Sequence, residues 1–167
     1  MTHAIHRGAC AAFVLALGLP LAAHAQNPQS FLRKAIKGDN SEIMLGHMAE
    51  HRGASPAVRH FGHTLVEDHT MARDQAMHVA AKIGVRPPDR PDRDAMMERD
   101  RLAGMSGPAF DHEFVHYMID DHRKDIADFQ GEAHAMNGPA SRMAREQLPT
   151  LHKHLDIALS ISKSGGY

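Results

Sequence analysis

Three apolar stripes of helical period run along this chain, and a histidine interrupts each of them once. Val58, Phe61, Leu65, His69, Ala72, Ala76, Val79 and Ile83 follow one another at steps of three or four, the spacing of a single helix face. Val115, Ile119, His122, Ile126, Phe129, Ala133 and Met136 repeat those steps, and so do Ala144, Gln147, Leu151, His154, Ala158 and Ile161, beside a second row of Leu148 and Leu155. An earlier stripe passes through Leu32, Ala35, Ile36, Ile43 and Ala49, with Glu42 at its border. A chain so patterned buries its faces by packing helix on helix, and that packing carries three imidazoles and one carboxylate inward.

Punctuation sets the number of helices. Asn27-Pro28 caps and opens a first helix that runs to about His51, before Gly53. Ser55-Pro56 opens a second that ends at Ile83, before Gly84. The connection between them is so short that the two helices are expected to be antiparallel neighbours. From Val85 to Pro108 the chain is charged and carries Pro87, Pro88 and Pro91; it reads as a surface connection with a short helix over residues 95–102. Ser106 to Pro108 opens a third long helix to about Met136, and Asn137-Gly138-Pro139 separates it from a fourth that ends near Ser162. Tryptophan is absent and valine and threonine are sparse, which argues against a sheet. The expected fold is all-α, four long antiparallel helices with a long connection between the second and third.

Arg7 precedes an apolar run from Ala9 to Leu21 that closes on Ala23-His24-Ala25, the pattern of a secretory signal peptide over residues 1–25. The run is too short to span a bilayer. Residues 26–167 then form a single domain exported to the periplasm, with peripheral attachment to the outer membrane or envelope left open and no protein partner indicated. The one cysteine, Cys10, falls inside the leader, so the mature chain has no disulfide, Cys-zinc site or thiol catalysis. Lysine and arginine number 19 against 20 acidic residues, with the signs mixed along every helix, so no nucleic-acid surface is expected. The chain shows no nucleophile-base-oxyanion set and no glycine-rich phosphate loop.

Measured from the expected helix starts at about 1.5 Å per residue, Glu42, His69, His122 and His154 all lie roughly 20 to 22 Å along their helices. Near mid-height they converge whichever way the helices run. Three neutral imidazoles and a carboxylate suit zinc, iron, manganese or copper, so Glu42, His69, His122 and His154 are the candidate metal ligands. The competing reading is a buried polar network without an ion, in a structural or interaction module of the cell envelope. Asp68, Asp121 and Asp125 could orient the rings from behind, although carboxylates on helix surfaces are expected to be solvated. Weaker candidates are His47 and His51, which alternate with Met44 and Met48 on the first helix across the loop from His60 and His63; the plainer expectation is that the methionines pack and the histidines are exposed. His112 and His116 are one turn apart on an exposed face. If the mid-height trio is dry and neutral, acid should destabilise the fold, because burial disfavours the imidazolium.

Phe110-Asp111, His122-Arg123-Lys124, Leu148-Pro149-Thr150-Leu151 with His154-Leu155, and Asp68-His69 together resemble the domain-of-unknown-function 4142 family of exported bacterial proteins. The resemblance covers about Ser30 to Ile161. It implies a ferritin-like four-helix bundle outside the cytoplasm, of a kind often labelled outer-membrane or periplasmic, and it supplies no agreed activity. Histidines matching His69, His122 and His154 are typical of that family, with an acidic residue near Glu42 common. A ferritin-type ferroxidase would need Glu-x-x-His on two helices. Glu113-Phe114-Val115-His116 is the one copy, near a helix start, and Val66 and Leu151 stand where the other carboxylates would be. Catalytic turnover is therefore not expected, and ion binding is.

Overall fold

A computed structural model describes residues 27–135 and 138–166. Among them the chain forms five helices, α1 (Pro28–Arg52), α2 (Pro56–Lys82), α3 (Arg93–Ala103), α4 (Gly107–Ala133) and α5 (Pro139–Gly165), and no strand. The signal peptide expected over residues 1–25 and the seam position Met136 lie outside the described residues. No helix is long and apolar enough to cross a membrane among those described.

The caps behave as their chemistry dictates. The Asn27 side chain accepts from the Gln29 amide and the Ser55 hydroxyl from the Val58 amide, with proline in the first turn of each helix. Between them the turn 53–55 is pinned from outside. Asp111 of α4, 2% exposed, accepts the Ala54 and Ser55 amides at 2.7 and 2.8 Å. The Phe110-Asp111 string thus fastens the α1–α2 turn to α4. Below that turn the two helices touch backbone to backbone: a Cβ added at Gly62 would stand 2.6 Å from the Gly46 carbonyl oxygen and from the Glu50 nitrogen. The absence of side chains there fixes the register in which Glu42 of α1 faces His69 of α2.

Two apolar clusters form the core. One gathers Phe31, Leu32 and Ile36 with Ala80, Ile126, Phe129 and Met143; the other gathers Leu45, Phe61, Leu65, Phe114, Met118 and Ala158. Glu42 of α1, His69 of α2, His122 of α4 and His154 of α5, all buried, each fall between the positions given to one cluster and those given to the other. The result is a polar layer sandwiched between two apolar ones.

Two expectations need correction. The connection between α2 and α4 is not a surface loop. Val85 is buried in the first cluster, and Ala95 and Leu102 of α3 in the second, so the segment crosses from one end of the bundle to the other as a packed strap. Polar ties hold it down: the Asp92 amide donates to the Ser41 hydroxyl at 2.9 Å, and Arg52 reaches the Ala103 and Met105 carbonyls. The α1 seam also differs, because Ile43 is only half-buried while Leu45 and Asp39 are buried.

Candidate metal centre

His69, His122 and His154 are 3%, 0% and 0% exposed, and Glu42 is 1% exposed. All four meet in the polar layer. One nitrogen from each of the three histidines lies within 4.8 Å of the others, with ring centroids 5.1 to 6.0 Å apart. Metal–nitrogen bonds of about 2.0 to 2.1 Å in a tetrahedral shell put nitrogens roughly 3.4 Å apart, so an ion would draw the rings inward by a side-chain adjustment.

Each ring is held from behind by one nitrogen and leaves the other without a partner. His122 Nδ1–H donates to the Met118 carbonyl, one turn earlier on α4, at 2.9 Å. His154 Nε2–H donates to Asp68 Oδ2 at 2.8 Å. His69 Nδ1–H donates to Asp39 Oδ1 at 3.0 Å. His122 Nε2, His154 Nδ1 and His69 Nε2 make no hydrogen bond. An imidazole whose rear nitrogen donates to a carboxylate or carbonyl is the form that ligates metals, its tautomer and tilt already chosen.

Glu42 lies between α2 and α4, with Oε2 2.8 Å from His69 Nδ1 and Oε1 3.3 Å from His122 Nε2. The single Nδ1 proton of His69 is directed at Asp39, so Glu42 is held by charge, and neither of its oxygens meets hydrogen-bond geometry. Burial alone would raise the Glu42 carboxyl, but His69 and His122 outweigh it and hold the group down at about 2. Burial likewise lowers His69, yet Glu42 and Asp39 together lift it well above the usual histidine value. Burial and the neighbouring His69 depress His154 to about 4, and burial depresses His122. These shifts favour an imidazolium at His69, paired with Glu42, and neutral rings at His122 and His154.

Other carboxylates approach from the rim. Asp39 is 4% exposed, and burial pushes it up to about 6; it stands on α1 one turn before Glu42, at the helical steps of four and three from Ala35 and Ile36, and was not singled out from the sequence. Asp121 and Asp125 were expected to be solvated and are instead half-buried, each offering an oxygen within 4.8 Å of Glu42. Burial, then the charge of Glu42, raises Asp121 to about 7 and lifts Asp125 well above the usual carboxylate range. Asp68 is part-exposed behind His154 and within 3.5 Å of Lys153. A cleft of about 170 Å³ between α2 and α5, lined by Asp68, Met71, Gln75 and Gln147, runs from the surface to Asp39 and His69.

The weaker candidates stay outside this layer. His47 and His51 are exposed and stack at 6.4 Å, with Glu50 near enough that the three form a shallow donor group. Met44 and Met48 pack partly against the second apolar cluster instead of joining them. His63 binds Glu50 and Glu67. Exposed His112 and His116 stack at 6.1 Å, with His116 near Asp120. Glu113 of the lone Glu-x-x-His string pairs with Arg101 of α3, away from the layer.

No curated protein matches this chain. Among solved structures, it aligns with a DUF305 protein from Streptomyces coelicolor described as secreted, at a TM-score of 0.70 and 14% identity, over 85% of this chain and 96% of that one; at that identity the likeness is one of fold. A family model described as a domain of unknown function, DUF4142, matches residues 19–161, most of the chain, and the protein belongs to that family.

Proposed function

We propose that this is an exported, ferritin-like helical-bundle protein that binds a transition-metal ion through His69, His122 and His154, with Glu42 completing the shell. The observation that carries the reading is the set of three buried imidazole nitrogens without partners, each on a ring whose opposite nitrogen is already held. Zinc, iron, manganese and copper all accept such a shell, and the role is storage, buffering or protection of the envelope by ligation. Ferritin-like topology is supported by which helix ends share a cluster. The start of α1, the ends of α2 and α4 and the start of α5 lie together, so α1 and α5 run one way, α2 and α4 the other, with the packed strap as the one long crossover. Residence in the periplasm, with or without peripheral attachment to the outer membrane, rests on the leader pattern and on the description of the DUF305 neighbour as secreted.

The ion pair of His69 with Glu42 and Asp39 favours the second reading, a metal-free structural or interaction module whose polar layer specifies packing. Elemental analysis of protein purified without a histidine tag separates the two. We expect near-stoichiometric metal in the wild type and its loss from His122→Ala/His154→Ala, a variant that keeps the His69–Glu42 pair and thus the folded layer. A wild type that contains no metal and takes up no zinc, iron, manganese or copper would leave the structural module.

A further inference from the structure

We propose that the chain carries a separate metal site on its surface, formed by His47, Glu50 and His51 near the end of α1 and suited to zinc, nickel or copper(II). The three residues fall at i, i+3 and i+4, the spacing that gathers side chains on one helix face. His47 and His51, one turn apart, are the pairing by which a helix presents two imidazoles to one ion. Leu45 and Ala49 bury the opposite side of this stretch, while both histidines are exposed. One ligand atom from each of His47, Glu50 and His51 lies within 4.8 Å of the others. None of them belongs to the buried layer, so the site stands independently of the centre proposed above.

The geometry suits ligation better than an ordinary hydrogen bond. His47 Nδ1 stands 3.6 Å from Glu50 Oε2, too far for a hydrogen bond and close to the roughly 3.4 Å between two donors on one tetrahedral ion. The His47 and His51 rings lie parallel, within 5°, at a centroid distance of 6.4 Å. Glu50 is braced from the neighbouring helix: His63 Nδ1–H of α2 donates to Glu50 Oε1 at 3.1 Å, which leaves Oε2 to the histidine side. A carboxylate with one oxygen so occupied has its orientation set before an ion arrives. The backbone behind it is fixed as well, because the two helices touch at this level. A Cβ added at Gly62, next to His63, would stand 2.6 Å from the Glu50 nitrogen.

Charge and donor chemistry assign the ion class. Helix α1 ends at Arg52, so the donors occupy its last turns, where unpaired carbonyls favour a cation. Arg52, the competing positive group, is engaged elsewhere, by the Ala103 and Met105 carbonyls and the face of Phe110. Met44 and Met48 pack against the second apolar cluster, and without their sulfurs the set loses the soft donors that copper(I) prefers. Two imidazoles and one carboxylate match zinc, nickel or copper(II) and leave a fourth position to water. Open to solvent, the site captures and exchanges its ion, in contrast to the closed layer inside the bundle.

The test uses tag-free protein, zinc as probe, equilibrium dialysis with elemental analysis, and nitrogen magnetic resonance of the imidazole rings. His122→Ala/His154→Ala, which lacks the buried centre, should bind one zinc per chain, with the ring signals of His47 and His51 shifting together. Adding His47→Gln/His51→Gln should abolish that binding and leave the helical circular dichroism unchanged, while His63→Leu should weaken it about tenfold. Zinc bound by the wild type but not by His122→Ala/His154→Ala would leave the buried centre standing and overturn the surface site. One zinc in both proteins, removed by His47→Gln/His51→Gln, would support the surface site and take zinc away from the buried one. Binding that survives His47→Gln/His51→Gln, or that is lost with His112→Gln/His116→Gln instead, would place the ion elsewhere and overturn the assignment.

Discussion

Replacing His69 with leucine should be among the most damaging single changes in this core, and the reason is electrostatic. In the folded chain the imidazolium stands 2.8 Å from Glu42 and 3.0 Å from Asp39, with all three residues under 5% exposed. His69→Leu leaves two buried carboxylates without a cation. Removing one partner of a buried pair costs about 3 to 5 kcal/mol, and the added apolar burial returns about 1. The net loss is about 3 kcal/mol, a large part of the roughly 5 to 15 kcal/mol by which domains are stable. At a urea dependence of about 2 kcal/mol per molar, the unfolding midpoint should fall by roughly 1.5 M. Adding Glu42→Gln should restore about half or more of the loss, because the remaining Asp39 is already pushed up to about 6 by burial and takes up a proton once His69 is gone. The assay is urea unfolding followed by circular dichroism at pH 7 in chelator. The loss should also shrink as pH falls from 7 to 5 and the stranded carboxylates protonate. A single variant within about 0.5 kcal/mol of wild type, or a double variant no better than the single, would refute the reasoning.

Gly62→Ala forces a Cβ to 2.6 Å from the Gly46 carbonyl; the helices must part, and a loss of about 1 to 3 kcal/mol is expected in thermal or urea unfolding, whereas Gly131→Ala, which meets nothing within 4 Å, should be neutral or slightly stabilising. Asp111→Ala strands the two amides it accepts and should cost about 2 to 3 kcal/mol, with faster hydrogen exchange at Ala54 and Ser55 as the local readout. For pH, the sign follows from the shifts: His154, depressed to about 4, takes up its proton more readily when unfolded, so it contributes stability that is lost as pH falls from about 6.5 towards 4; His69, raised, contributes stability present below about 6.5 and lost as pH rises through its folded value. Calorimetry of the first zinc bound at pH 7, in buffers of different ionisation enthalpy, should show about one proton released, the one on His69; none, or three, would contradict the assigned charge state.

The stripes and caps made the four long helices readable because burial of a helix face and satisfaction of its first amides are local demands written into neighbouring residues. His69, His122 and His154 were readable for the same reason: each occupies a seam position where an apolar residue would otherwise stand. Asp39 was not, and Asp121 and Asp125, although named as possible partners of the rings, read as solvated, since a carboxylate on a helix looks the same buried or solvated until the facing helix is placed. The packed strap was missed because Val85, Ala95 and Leu102 are spread among prolines and charges, and their shared burial follows from the crossing direction of the segment, which no local period encodes. Asp111 shows the converse. Its pairing with the amides of the α1–α2 turn joins residues more than fifty positions apart, so its presence in a recognisable string could be seen while its purpose could not.

Energetics bear on whether the polar layer is a metal centre or a packing device. His69 Nε2, His122 Nε2 and His154 Nδ1 make no hydrogen bond to protein atoms, and a buried group left without any partner costs about 1 to 3 kcal/mol. Apolar side chains of similar size would avoid that cost and keep the seam intact. The layer instead holds each ring by one nitrogen, brings one nitrogen of each within 4.8 Å of the others, and sets beside them a carboxylate in an ion pair with His69. On the proposed reading a cation would use that arrangement: it would supply partners to the three nitrogens and take the place of the His69 proton opposite Glu42. The layer's cost in the metal-free chain then becomes the driving force for binding, and ion uptake should stabilise the fold by about 2.7 kcal/mol at a free concentration one hundred times the dissociation constant.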